Sequence, residues 1–324
     1  MRRVAALAAV AAGLLGLAAA GPSPLPGGAP RASAAPAVES APVMPTRVRG
    51  VDGRPIVVRS ATRIVSLNGD ITEAIYALGL GSRLVGVDTS ATYPEAASRV
   101  TSVGYQRQLN AEGILALRPT AVIGNTLAGP SGVIDQVKAA GVPTIIIPED
   151  DRLSAPMSKI RSVARILGVP RRGRVLAERT ERQIRAQSRR AALAARGRER
   201  PRVAFLYVRG ARTQLIGGTG TRSNVVIRLA RGIDAGAEAG IVGYRPITAE
   251  ALVGARPDVL VVPLAGLESV GGIDGLLRIP GVAQTPAGRA RRVVSFDDQL
   301  LLGLGPRTGS AIRKLAVGLY PGEV

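Results

Sequence analysis

Histidine, cysteine and tryptophan are all missing from the 324 residues. Without cysteine there is no disulfide, no thiolate nucleophile and no thiol to carry a lipid. Without histidine there is no imidazole base for a hydrolytic triad, and neither residue is there to hold zinc. A metal-centred ligand would have to be reached by tyrosine or a carboxylate. Aromatic residues make up only 2% of the chain against 46% hydrophobic overall, so the core must be aliphatic. Lysine is scarce too, at Lys138, Lys159 and Lys314 alone, so a formal charge of +20 is carried almost wholly by arginine. Beyond the N-terminus no apolar run is long enough to span a bilayer.

The N-terminus has the marks of an export signal: Arg2 and Arg3, an apolar run from Val4 to Ala20, and small residues at Ala18–Ala20 and Ala32–Ala34 for cleavage. Residues 1–34 are therefore expected to be signal peptide and leader, and 35–59 a flexible segment rich in small residues and proline. The protein is expected to be exported, soluble and not lipid-anchored. The basic excess peaks in 171–200, with eleven arginines against three glutamates. With so few aromatics to stack on bases, this favours a solvated helix face over nucleic-acid binding.

From residue 60 the pattern becomes β/α. Short apolar runs at 63–67, 84–88, 121–124 and 144–148 alternate with helical stretches, which predicts a parallel sheet covered on both faces. No strand signal occurs in 151–200, which reads as a helical connector. The bridging helix falls in 171–197, with 154–168 as the alternative. Alternation resumes in 201–324, with strands at 203–207, 214–216, 259–263 and 293–296. The expected architecture is α/β: an N-terminal lobe over 60–150, the connector, and a C-terminal lobe over 201–324.

The two lobes share a repeat. Asn110-Ala111-Glu112 precedes Arg118-Pro119 and a strand, and Thr248-Ala249-Glu250 precedes Arg256-Pro257 and a strand, with equal Glu to Arg-Pro spacing. Asn or Thr suits an N-cap in both. A tyrosine stands shortly before each, Tyr105 and Tyr244. Matched loops on two similar lobes can face each other across a cleft.

Adjacent carboxylates such as Asp297-Asp298 look like turn or cap residues. The Gly-rich stretch 217–224 lacks the lysine of a phosphate loop and the spacing of a dinucleotide site, so it reads as a ligand-lining loop or a plain turn. Catalysis has little support. Tyr105 and Arg107 are more telling, two residues apart in a loop after a glycine. Ferric iron and a nearby guanidinium both favour a phenolate, tyrosine is an axial ligand of haem, and arginine pairs with carboxylates. The same pair also fits a packed ring beside a solvated arginine.

The run Gly104-Tyr105-Gln106-Arg107-Gln108-Leu109-Asn110-Ala111-Glu112-Gly113-Ile114-Leu115, with Ile64–Leu67, Thr72-Glu73, Tyr93-Pro94, Gly243–Pro246 and Leu302–Thr308, resembles the periplasmic haem-binding proteins of bacterial haemin ABC importers, over roughly residues 60–322. That resemblance implies two lobes joined by a rigid helix, haem as the transported ligand, and a permease dimer with its ATPase as partner. It implies Tyr105 as axial iron ligand, Arg107, Tyr244 and Arg245 as haem contacts, and Glu112 and Glu250 as the carboxylates that dock each lobe on the permease. Relatives that use a histidine from the second lobe have no counterpart here, which leaves tyrosine, water or nothing as a second ligand. The same fold carrying a ferric siderophore or cobalamin is the alternative, with an exported α/β enzyme and an arginine-rich surface-binding protein behind it.

Overall fold

The computed structural model describes residues 41–323. The expected signal peptide and leader, and the first residues of the segment 35–59, lie outside the described residues. The rest of that segment is not flexible chain. β1 (Thr46–Arg49) and β2 (Pro55–Val58) form an antiparallel hairpin. Val48, Ile56 and the fully buried Val58 press it onto the N-terminal lobe, and Thr46 Oγ1 donates to Ile166 O at 2.8 Å. Its alternating pattern is carried by few apolar residues, so tertiary packing rather than local signal defines it.

The N-terminal lobe continues with β3 (Ile64–Ser66), α1 (Gly69–Ala77), β4 (Leu84–Val87), α2 (Ala111–Ala116), β5 (Ala121–Asn125), α3 (Ser131–Ala139) and β6 (Thr144–Ile147). The four strands from β3 to β6 are parallel, in the order β4-β3-β5-β6. Every residue of β3 and β5 is buried, as the continuous apolar runs require. Alternation splits them between two cores: Ile64, Ala121 and Ile123 face one, Val65 and Val122 the other.

Two helices connect the lobes, α4 (Ala155–Ile166) and the 25-residue α5 (Pro170–Ala194). Pro170 opens α5 where its missing N–H costs nothing. Its buried stripe is Gly173, Ala177, Thr180, Ile184, Ala191 and Ala194, at helical spacing. Small residues let α4 approach closely: a Cβ on Gly173 would stand 2.3 Å from that of Ala164. Leu176 packs against the cores of both lobes, and α4 contributes Ile160 to one and Val163 to the other.

The C-terminal lobe runs β7 (Arg202–Arg209), β8 (Thr213–Gly217), α6 (Arg222–Leu229), β9 (Ile233–Asp234), α7 (Ala235–Glu238), β10 (Tyr244–Pro246), α8 (Ala249–Ala255), β11 (Val259–Pro263), α9 (Leu264–Ser269), α10 (Gly272–Leu277), α11 (Pro286–Arg289), β12 (Val293–Phe296), α12 (Asp298–Leu302) and α13 (Thr308–Leu319). The main strand order is β10-β8-β7-β11-β12, with β9 beside β7. β7, β9, β11 and β12 are parallel. β8 and β10 are antiparallel, because a short turn at Gly210 folds β7 straight back into β8.

Candidate ligand-binding cleft

The N-terminal wall is built on the C-terminal ends of β3 and β5, where open α/β sheets hold their ligands. The chain returns beside β4 through Val103 N to Val87 O at 2.8 Å, and Thr89 N donates to Gly104 O at 3.0 Å. Gly104, at φ +90°, supplies the left-handed step that points Tyr105 outward. Gln108 N closes the turn onto Tyr105 O at 2.8 Å, and Gly129 N donates to Gln106 O at 2.8 Å. Beneath it the buried Asn68 Nδ2 donates to Gln106 Oε1 and, at 2.9 Å, to Asn125 Oδ1, while Asn125 N donates to Asn68 Oδ1 at 2.7 Å. Tyr105 therefore stands 40% exposed on a loop pinned from below.

The C-terminal wall comes from the far end of β7. Tyr207 faces the cleft, and the Arg209 guanidinium lies 4.6 Å from its ring centroid. Arg209 is held by Asp298 through Nη2 and by Val208 O at 2.8 Å. Burial pushes the Tyr207 phenol up from its ordinary pKa, and the charges of Arg209 and Arg107 work against that rise. The Arg107 charge thus reaches across from the opposite lobe. Asp298 is also pushed up by burial, against the pull of Arg209.

Between the walls is a cavity of about 740 Å³, lined from one lobe by Gly69, Ser90, Thr92, Tyr105, Gln106 and Asn125, and from the other by Tyr207, Arg209, Leu264, Glu268 and Asp297. It falls within the range of small-molecule sites. Its base is tied across the lobes. Gln299 Oε1 accepts from Thr92 N at 2.9 Å and Tyr93 N at 3.0 Å, and its Nε2 donates to Gly69 O at 2.9 Å and Glu73 Oε2 at 3.0 Å. Glu73 also accepts from Arg307 N at 3.0 Å and Nη2 at 3.1 Å, and Arg307 stacks 3.5 Å from the Tyr93 ring centroid. Lys159 joins Asp70 to Gly303 O, the latter at 2.8 Å, and Arg222 pairs with Glu149. Burial works to raise Asp70, but Lys159 and Arg222 outweigh it and hold the carboxyl below its usual range.

Of the residues singled out in the sequence, Tyr105 lines the cavity. Arg107 is exposed beside it, with no ion-pair partner among the described residues. Tyr244 is not in a loop matching that of Tyr105. It starts β10, and its ring packs against Phe205 at 6.1 Å and Tyr207 at 6.4 Å between centroids, one side chain behind the wall. Burial raises its pKa, although the residue as a whole stays 39% exposed. Arg245 is paired with Ile216 and so points to the sheet face opposite Tyr244, away from Tyr207. The Gly-rich stretch is a turn: Thr221 caps α6 by accepting from Asn224 N at 3.2 Å.

Tyr207 and Arg209 went unread because alternation in a strand masks them: Tyr207-Val208-Arg209 looks like ordinary half-buried β-structure. A signal was present. Only two of the six tyrosines are followed two residues later by arginine, and they are Tyr105 and Tyr207. One faces the cleft from each lobe.

The helix repeat is matched down to the backbone. Asn110 caps α2 through Gly113 N and Thr248 caps α8 through Ala251 N, each at 3.2 Å. Both turns end with arginine in the left-handed region, Arg118 and Arg256 at φ 46°, followed by proline and a central strand. Glu112 and Glu250 are exposed in the two first turns. Among the described residues no group of three or more carboxylates could hold a bare metal ion.

Residues 64–300 match the periplasmic binding protein family. The chain is similar to the periplasmic haem-binding protein RhuT from Roseiflexus sp. RS-1, solved in apo form: 52% identity, a TM-score of 0.77, and 81% of this chain against 98% of that one. It is similar to the periplasmic haem-binding protein BhuT in complex with two haems, at 41% identity and a TM-score of 0.73, over 81% and 99% of the chains. It also matches YvrC of Bacillus subtilis (strain 168), an uncharacterized ABC transporter substrate-binding lipoprotein, at 24% identity over 86% of this chain and 87% of YvrC.

Proposed function

Because the chain belongs to the periplasmic binding protein family, we propose that it captures haem outside the cytoplasm and delivers it to an ABC importer. The observation that carries this reading is that Tyr105 from one lobe and Tyr207 with Arg209 from the other line one cleft, with the exposed Arg107 two residues from Tyr105, in a chain without histidine or cysteine. A phenol is a poor ligand at neutral pH until a ferric centre and a neighbouring guanidinium favour its anion. Tyr207 has that guanidinium in contact, from Arg209, and Arg107 follows Tyr105 by two residues. Tyr105 is the axial ligand, and Tyr207 is the second phenol that a chain without histidine can offer. Tyr244 buttresses Tyr207 from behind. Arg107 has the planar fork that suits a propionate. Haem arrives with four of its iron bonds made, so one or two phenols suffice where a bare ion would need a larger set.

The ties at the cleft base and the shared helices α4 and α5 favour lobes that move little on binding. Glu112 and Glu250, one exposed carboxylate on each lobe in equivalent first turns, suit docking on arginines of a two-fold permease. The chain has no cysteine to lipidate, so the mature protein acts as a soluble exported carrier. The test is a haemin titration by visible spectroscopy of wild type, Tyr105→Ala, Tyr207→Ala and the double variant. Wild type should give a saturable high-spin ferric tyrosinate spectrum, weakened by Tyr105→Ala and abolished in the double variant. An unchanged spectrum in the double variant overturns the assignment, and saturation by a cobalamin but not by haemin overturns the ligand.

A further inference from the structure

The outward face of α5 has no role in the cleft: none of its residues lines the cavity. Yet it is the most basic surface in the sequence. At 1.5 Å per residue the helix is about 37 Å long. Its buried stripe points inward, and on the opposite line lie Arg171, Arg182 and Arg189, all exposed, with the exposed Glu178 as the one acidic side chain beside them. None of the three has an ion-pair partner among the described residues, whereas Arg185 is paired with Glu181 at 2.5 Å. Val175 and Leu193 share this outer ridge, 58% and 56% exposed.

We infer that this face docks on an anionic phospholipid bilayer. A ridge that runs the length of a 25-residue helix suits a plane, arginine suits phosphate, and Val175 and Leu193 suit the apolar edge of the headgroup layer. A soluble polyanion would use the arginines but not the valine and leucine, and the absence of tryptophan leaves a nucleic acid little to stack on. Each basic side chain near such a surface contributes about a fivefold gain in partitioning. The attraction is reversible and screened by salt, so it would hold a protein that has no lipidated cysteine near the membrane without fixing it there. It is independent of what the cleft carries.

The test uses residues 41–324, which form one compact unit, so that the apolar leader cannot insert by itself. Co-sedimentation is measured with vesicles of phosphatidylglycerol mixed into phosphatidylcholine, with phosphatidylcholine alone, and with duplex DNA as a soluble polyanion. Wild type should bind the anionic vesicles and not phosphatidylcholine alone, and release as salt is raised. Arg171→Glu/Arg182→Glu/Arg189→Glu should lower partitioning at least about a hundredfold with thermal melting unchanged. If that variant melts early, the corresponding Arg→Gln triple reads the same surface and should still lose about a hundredfold. Val175→Ser/Leu193→Ser should weaken vesicle binding severalfold and leave any DNA binding untouched. Equal binding by wild type and both charge variants overturns the proposal, as does no wild-type binding at low salt. Tighter binding to DNA with no effect of the serine variant assigns the face to a soluble polyanion instead.

Discussion

Replacing Gln299 with alanine tests whether the base of the cleft is a fixed tie between the lobes. Its amide is buried and serves four partners at 2.9–3.0 Å, all in the N-terminal lobe. The N–H groups of Thr92 and Tyr93 lie in an exposed stretch, so water can replace the lost acceptor there. Gly69 O and Glu73 Oε2 are buried away from such replacement, and Glu73 Oε2 is left with Arg307 Nη2 at 3.1 Å. Losing the two buried hydrogen bonds, one of them to a carboxylate, amounts to about 2–4 kcal/mol. For a domain of this size that lowers Tm by roughly 5–10 °C. The effect also has a pH signature. Burial raises the Glu73 pKa, with Arg307 and Gln299 opposing it. Removing Gln299 raises it further, and a carboxyl whose folded pKa lies above its unfolded one loses stability as pH rises through the folded value. The Gln299→Ala penalty should therefore be larger at pH 8 than at pH 5. Urea unfolding followed by far-UV circular dichroism measures both. A loss under about 1 kcal/mol at either pH would refute the claim that this amide ties the lobes together.

Asp88 is 1% exposed, and burial pushes its carboxyl up to about 7 against the hydrogen bonds from Ser90. Its folded pKa exceeds the unfolded value, so wild-type stability relative to Asp88→Asn should fall by about 3 kcal/mol between pH 4 and pH 7; a difference that stays flat across that window in paired urea melts would contradict it. Lys159→Met strands the buried Asp70 without its partner and should cost about 3–5 kcal/mol, whereas Lys159→Met/Asp70→Leu should recover most of the loss. Equal stability of the single and double variants would show that the pair does not act as a unit. Glu112→Arg/Glu250→Arg should leave haemin affinity unchanged and stop uptake through the reconstituted importer; transport at the wild-type rate would sink the docking role.

What could be read from the sequence was what local chemistry determines. Asn110 and Thr248 cap helices because of their own side chains, and Arg-Pro ends both turns because proline cannot continue them. The repeat was therefore legible, and with it two lobes and two equivalent glutamates. Tyr105 was legible because it sits in a loop, where a glycine, a tyrosine and an arginine have no packing duty to explain them. The hairpin at 46–58 was not legible, since its burial depends on a lobe that lies elsewhere in the chain.

The second wall shows the same limit from the other side. Symmetry between the repeats pointed to Tyr244 as the partner of Tyr105, because both precede a capped helix. Pairing of β10 with β8 breaks that symmetry: it seats Tyr244 over Gly217 and turns Arg245 to the far face. β7 is eight residues long, and its length carries Tyr207 and Arg209 past the core to the cleft. A tyrosine in a strand is ambiguous by itself, because alternation accounts for it without function. What narrows the ambiguity is the neighbour on one side: β11 pairs only with Val203, Ala204 and Phe205, while β8 runs beside β7 to Arg209, so Leu206 and Val208 stay buried and the alternate residues Tyr207 and Arg209 face the cleft.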